Sequence, residues 1–358
     1  MTAPPPSSTP VLSVIMPAYN GAALIGETLD NLRAQTMPDF EVLVVDDCST
    51  DDTRALLANW PDPRVRLIAL DVNGGPVRAR NRGAAEARGR YIAGIDQDDL
   101  SRPERFARQI AYLEADPATV LVATAAEQLI EGAIRPMNYP VTTTPTLIAW
   151  LTWIENPLVW SSVMIRADAA RRLDPFTRPD ILYAEDFDLY HRLQRLGRIA
   201  RLDTPLTIYR QHAGGVSKRF AETMAASATR VLAETHDTRL GDQAQAAAAA
   251  LVAHNMAKAP VRDLATLRLV GSTLVELETA FIAERRPDRY DRMLIAAETE
   301  KRWTAIRHRA LRTGNLGLDA ITASSQPTLE PSGTNSLLWS GLIGTARRAQ
   351  RTIAAKRA

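Results

Sequence analysis

Over the first two hundred residues, short runs rich in Val, Ile and Leu alternate with stretches whose apolar positions recur every three or four residues. That is the order of an α/β domain with a mainly parallel sheet. Residues 11–16, 41–45, 65–70 and 90–95 are predicted strands. Between them, Leu24, Ile25, Leu29 and Leu32 fall at helical spacing after Ala22, and Val77, Ala84 and Ala85 do so between Gly75 and Gly89. Further strands are predicted at 119–124, 161–166 and 199–210, with a helix over 185–196 whose apolar face is Phe187, Tyr190, Leu193 and Leu196. From about Phe220 the strand pattern stops, and Ala-rich helical stretches follow at 244–257, 261–282 and 290–312. The expected organisation is a leader over 1–10, an α/β domain over 11–220 and a helical unit over 221–321. A Ser-, Thr-, Pro- and Gly-rich linker over 322–335 and a last helix over 336–358 complete it.

That last helix is amphipathic. At about 100° per residue, Leu338, Trp339, Leu342, Ala346, Ala349 and Ile353 form one stripe, Arg347, Arg348 and Arg351 lie opposite, and the segment holds no acid. Such a stripe either docks on protein or lies on an anionic membrane surface. The composition, 46% hydrophobic and 23% charged, excludes a disordered or fibrous chain. With 43 basic against 41 acidic side chains, the formal charge of +2 provides no global attraction to nucleic acid, and none is expected as a partner. No apolar run approaches the roughly 20 residues a bilayer span needs. The Pro- and Ser-rich leader lacks the basic start and apolar run of a signal peptide, so it is expected to be disordered. Cys48, the sole cysteine, excludes an internal disulfide and fits a reducing compartment. A cytoplasmic location is therefore expected, peripheral on the inner membrane face if the last helix binds lipid.

Candidate chemistry sits at the predicted strand ends, where open α/β sheets bind ligands. Asp46 and Asp47 follow one strand, and Asp96, Asp98 and Asp99 follow another, which directs both groups toward one crevice. If 96–98 is extended, Asp96 and Asp98 share a side with Gln97 opposite, and two carboxylates one pleat apart repel unless a cation compensates. Hard oxygen ligands suit Mg2+ or Mn2+, whose shells substrate phosphates often complete. Helix capping accounts for only one carboxylate of the second group, but stays open for Asp46 and Asp47, with Ser49 and Asp51 nearby. Glu185 and Asp186 open a helix, where acids complement the dipole and where a carboxylate can also take a proton from a hydroxyl. Arg78 and Arg80 stand open as solvated helix charges, Tyr19 as a core aromatic, and His212 as a surface-loop residue before Gly214 and Gly215.

The segments SVIMPAYNGAALIGETLDNLRAQT, EVLVVDDCSTDDT, NGGPVRARNRGAAEARGRYIAGIDQDD and AEDFDLYHRL, in that order over about residues 11–215, resemble the motifs of the inverting nucleotide-sugar glycosyltransferases of family two. The resemblance implies a GT-A fold, Rossmann-like with a mainly parallel sheet, followed here by a smaller all-α C-terminal unit. It implies a nucleotide-diphosphate sugar donor, UDP foremost, a glycan or lipid-linked acceptor, and Mn2+ or Mg2+. By that resemblance Pro17, Ala18, Tyr19 and Asn20 line the nucleotide, Asp47 hydrogen-bonds the base and Arg80 faces the nucleotide. Asp96 holds the ribose side, with Gln97 in the same set, while Asp98 binds the metal bridging the diphosphate and His212 is a second metal or phosphate contact. Asp186 is the implied base and Glu185 its orienting neighbour.

The chain also departs from the family pattern. Trp160 in NPLVWSSVMIR stands where relatives often carry histidine, and is open as a sugar-stacking or a core residue. The Gln-x-x-Arg-Trp motif of processive members is absent, since Thr299 precedes Arg302 and Trp303, so transfer of a single sugar is expected. His191 is expected to be structural, on an exposed helix face. Two rivals remain: a nucleotidyltransferase, and a non-catalytic nucleotide-sugar-binding scaffold of a glycan assembly complex. The first commonly carries a Gly- and Arg-rich phosphate loop after the first strand, which residues 17–21 are not.

Overall fold

The computed structural model describes residues 9–212, 215–314, 316–319, 340–345 and 347–348. The strands are β1 (Leu12–Ala18), β2 (Phe40–Asp46), β3 (Val65–Ala69), β4 (Tyr91–Gly94), β5 (Leu100–Ser101), β6 (Thr119–Ile130), β7 (Ala133–Pro136), β8 (Met164–Arg166) and β9 (Arg198–Gln211). They form one mixed sheet in the order β3-β2-β1-β4-β8-β6-β9-β5, with β7 paired to β6. β1 to β4 are mutually parallel, and β8 joins β4 and β6 antiparallel. The helices of this part are α1 (Ile25–Arg33), α2 (Thr53–Ala58), α3 (Gly75–Glu86), α4 (Arg105–Ala115), α5 (Pro145–Ile154), α6 (Ala167–Ala170), α7 (Glu185–Leu193) and α8 (Val216–Arg219).

Around β1, β2 and β4 both faces of the sheet are covered, which is why these strands are nearly continuous apolar runs. Along β1, Leu12, Val14 and Met16 point into one core with Ile25, Leu29 and Leu32 of α1, while Ile15 points into the other with Ala79 of α3 and Leu189, Tyr190 and Leu193 of α7. The parallel strands thus end together on one edge, where their following loops carry the acids.

Two compact units result, Met1–Ile148 with Pro157–Ser227, and Ala149–Asn156 with Ala228–Ala358. The end of α5 thus belongs with the helices α9 (Ala221–Leu240, from Ala228), α10 (Ala244–Leu251), α11 (Leu264–Arg285) and α12 (Arg289–Arg312). Within that unit Trp150 and Trp153 meet Phe281 edge-on at 5.5 and 5.0 Å, and the Trp150 indole N–H donates to Thr299 at 3.2 Å. Arg302 pairs with Glu155 and Glu298, and Trp303 is 1% exposed, so Thr299, Arg302 and Trp303 brace the helical unit. Most of the linker and last-helix expectations, 322–335 and 336–358, lies outside the described residues. The described part of the latter buries Ser340, Gly341 and Gly344 and leaves Leu342 64% exposed, so small residues, not Leu342, form its packed side. No described helix is long and apolar enough to cross a membrane.

Candidate active site

The loop after β1 is held from two sides. Asn20 adopts a left-handed φ of 49°, its N–H donates to Ser49 Oγ at 2.9 Å, and its side-chain oxygen accepts the Thr50 N–H at 2.8 Å. Gln97 reaches across from the β4 loop: its amide oxygen accepts the Tyr19 N–H at 3.0 Å and its amide nitrogen donates to the Tyr19 carbonyl at 3.1 Å. Gln97 therefore fixes the backbone of Tyr19, just after β1. Pro17 and Ala18 belong to β1, where Ala18 is buried and its carbonyl accepts the Asp47 N–H at 2.7 Å; Tyr19 is 42% exposed.

The two acids after β2 divide their work. Asp46, fully buried, accepts the Ser49 N–H at 3.1 Å and an ion pair from Arg54, whose other arm donates to the Leu70 carbonyl. Asp47 turns to α3 and accepts the N–H groups of Gly74 and Gly75 at 2.8 and 2.6 Å. It thus complements the N-terminus of α3 rather than that of the helix that follows it. Asp47 is itself buried, 3% exposed.

Residues 96–99 form a turn closed by the Asp99 N–H on the Asp96 carbonyl at 3.2 Å, not the extended segment expected. The turn separates the three aspartates. Asp99 points inward, fully buried, and accepts the Arg210 N–H of β9 at 2.8 Å, which removes it from the exposed acidic cluster. Burial, with Asp96 and Asp98 nearby, pushes its carboxyl well above the usual range. Asp98 faces His212, with Nε2 2.7 Å from Oδ2, and its carbonyl accepts Arg210 Nε at 2.8 Å. Asp96 is half-buried; burial and the charges of Asp98 and Asp186 push it up to about 6, against the pull of Arg80.

Arg105 supports this turn from within the core. Fully buried, it donates to Gln109 Oε1 and Ser101 Oγ at 3.0 Å each, and to the carbonyls of Gly94 and Val163 at 2.9 and 3.2 Å. Arg105→Met removes these bonds, depriving Gln109 Oε1 and Ser101 Oγ of this donor, and is expected to lower stability by about 3 kcal/mol, read as a lower urea midpoint at unchanged slope. A loss below about 0.5 kcal/mol would show these bonds to be dispensable.

Arg80 lies beside the turn, 7% exposed. It pairs with Glu185 at the start of α7, reaches Asp96 at 3.3 Å, and lies over the Trp160 ring at 4.3 Å from its centroid. Arg80 is therefore buried rather than a solvated helix charge. Trp160 is a core residue, 3% exposed, in a short 3-10 turn (Trp160–Ser162). Glu185 is 1% exposed, and burial pushes its carboxyl up to about 7, with Asp186 and Asp96 adding to the rise and Arg80 opposing it. Asp186, next along α7, is half-buried. Arg78 points elsewhere and donates to the Val72 carbonyl at 2.8 Å. His191 is 8% exposed and packs on Phe187 at 4.8 Å, so it is a buried residue, not one on an exposed face.

Asp47, Arg80, Asp96, Asp98, His212, Glu185 and the loop 17–20 thus lie around the ends of β1, β2 and β4. Ser161 belongs with them and carries no sequence signal: its hydroxyl accepts the Asp96 N–H at 2.9 Å. Among the described residues, no group of three or more His, Cys, Asp or Glu side chains could hold a metal. Asp98 and His212 are a two-donor pair, one oxygen and one nitrogen, which suits Mn2+ when a diphosphate and water supply the remaining ligands.

The fold is of the GT-A type. The crystal structure of Staphylococcus aureus TarS 1–349 in complex with UDP-GlcNAc superposes with a TM-score of 0.53 over 95% of this chain and 91% of that one, at 18% identity. The profile of Glycosyl transferase family 2 matches residues 13–173. The succinoglycan biosynthesis protein ExoO of Rhizobium meliloti is 48% identical over 122 residues, 34% of this chain and 35% of that protein. The amylovoran biosynthesis glycosyltransferase AmsE of Erwinia amylovora is 30% identical over 216 residues, 58% of this chain and 79% of that protein. This chain belongs to glycosyl transferase family 2. The match covers only about a third of ExoO's length.

Proposed function

We propose that the chain is an inverting, metal-dependent glycosyltransferase of bacterial cell-surface polysaccharide assembly. It moves one sugar from a nucleotide-diphosphate sugar to an acceptor hydroxyl on a glycan or lipid-linked carrier. The observation that carries this reading is the Asp98–His212 pair, 2.7 Å apart, beside the Arg80–Asp96–Glu185 cluster at the carboxyl ends of the parallel strands. UDP is the proposed nucleotide, in keeping with the ligand named for the TarS structure, and the names of ExoO and AmsE support polysaccharide assembly.

In this reading Asp47 accepts the base N–H, residues 17–20 line the base, and Asp96 accepts from the ribose. Asp98 and His212 would hold the divalent ion, which when bound supplies Lewis-acid neutralisation of the diphosphate. Asp186 accepts the acceptor hydroxyl's proton as that oxygen bonds to the anomeric carbon and the bond from that carbon to the diphosphate oxygen breaks, with inversion. Its partial exposure suits it to this role better than Glu185, which is buried against Arg80. Incubation with UDP, GDP and dTDP sugars and Mn2+, with and without pyrophosphate, tests the assignment: nucleoside diphosphate release supports it, nucleoside triphosphate formed only with pyrophosphate indicates a nucleotidyltransferase, and neither product indicates a binding scaffold.

The proposal includes a cytoplasmic protein held peripherally on an anionic membrane through 336–358. Exposed Leu342 with exposed Arg347 and Arg348 supports it. The protein is expected to float with phosphatidylglycerol vesicles, less at high salt, and Leu342→Asp to reduce flotation several-fold. Equal flotation of both, or of neither, would remove this contact.

A further inference from the structure

The buried cluster around Arg80 contains a residue that no motif assigns. The Trp160 ring lies under the Arg80 guanidinium at 4.3 Å, within the range of a cation–π contact and on the side chain best suited to one. Its approach depends on Gly94 at the end of β4, where a Cβ would come within 2.5 Å of the indole. Phe176 meets the ring edge-on at 6.5 Å. The indole Nε1 is buried without a hydrogen-bond partner among the described residues, as are those of Trp60 and Trp303. Phenylalanine would avoid that polar cost but fill only part of the space. What tryptophan adds here is its electron-rich face.

The guanidinium resting on that face joins two parts of the site. It pairs with Glu185, the residue before the proposed base, and with Asp96, two residues before Asp98. The adjoining Ser161 hydroxyl accepts the Asp96 N–H at 2.9 Å, so one short turn holds both the arginine and the acidic turn.

We propose that Trp160 is a positioning residue: its indole face fixes the Arg80 guanidinium in the plane that ties the α7 N-terminus, bearing Asp186, to the donor-side turn at Asp96. It touches neither donor nor acceptor. Its effect on turnover rests on the transferase reading above, but its effect on Arg80 does not. Loss of the aromatic face frees the guanidinium to rotate, and the two halves of the site lose their common spacing. Positioning of this kind acts on the chemical step, where small displacements cost much rate.

The test compares Trp160→Phe, which keeps an aromatic face, with Trp160→Leu, which does not; both shrink the side chain and are expected to lower Tm. Three quantities are read on the full chain: Tm, kcat with KM for the donor sugar, and the 1H shift of the Arg80 Nε–H by nitrogen-resolved NMR, assigned with Arg80→Lys. In the wild type and Trp160→Phe that proton should be shifted upfield by the ring, with kcat within about threefold. Trp160→Leu should lose the upfield shift and about tenfold or more in kcat, with donor KM changed less. An unchanged Arg80 shift in Trp160→Leu overturns the proposal whatever the activity, as does parallel loss of kcat in both variants in step with Tm, which marks simple packing. If the wild type turns over no donor while the shift behaves as stated, the transferase reading fails and the anchoring of Arg80 stands.

Discussion

Asp186→Asn is expected to lower kcat at least about a hundredfold while the protein binds UDP within about twofold of the wild type. The amide keeps the size of the side chain and its place in the first turn of α7, where the Asp186 side chain accepts the Phe187 N–H at 2.7 Å, but removes the ability to accept a proton. The neighbouring acid is a poor substitute. Glu185 is buried and held by its ion pair with Arg80. Single-turnover kinetics with calorimetric UDP binding separate the effects: loss of UDP binding would make Asp186 a donor ligand, and near-normal kcat would remove it as the base.

Asp98→Asn is expected to abolish metal-dependent turnover, to a residual level at least about a thousandfold down, with Tm unchanged within a few degrees. The substitution takes away the charge that a hard divalent ion needs, and Asp98 is the proposed protein oxygen ligand opposite His212. The β9 contacts that brace the turn run through the Asp98 carbonyl and Asp99, so they survive. Activity assayed across a Mn2+ titration is the check; full activity at saturating Mn2+ would exclude Asp98 from the metal site.

The sheet was legible because its parallel strands are buried on both faces, so that 41–45 is apolar at almost every position, and α1 and α7 carry clear apolar stripes. Elements that escaped have physical reasons. The core-facing side of α4 carries Arg105 and Gln109, two polar residues whose burial depends on partners distant in sequence, so the apolar period is broken. α5, PTLIAWLTWI, is apolar nearly all round, and β5 has two residues. In the site, the family resemblance brought Asp98 and His212 into one candidate set, and the structure sets them 2.7 Å apart. What it did not convey was direction. Asp99 differs from Asp98 only in pointing inward to β9, Gln97 turns to Tyr19, and Arg80 is buried because Trp160 and Glu185, both far along the chain, enclose it. An ion pair between residues 80 and 185 leaves no local pattern.

Inverting sugar transfer at the Asp98–His212 site is tested by following an α-linked UDP sugar with 1H NMR in the presence of an acceptor extract and diamagnetic Mg2+. A parallel assay of nucleotide release uses Mn2+ with and without EDTA. The expected result is UDP release that stops with EDTA and an initial product whose anomeric proton carries the large coupling of a β-gluco linkage. Retention of the α configuration would contradict inversion. Undiminished release in EDTA would contradict the metal site, and release of UMP would contradict sugar transfer itself.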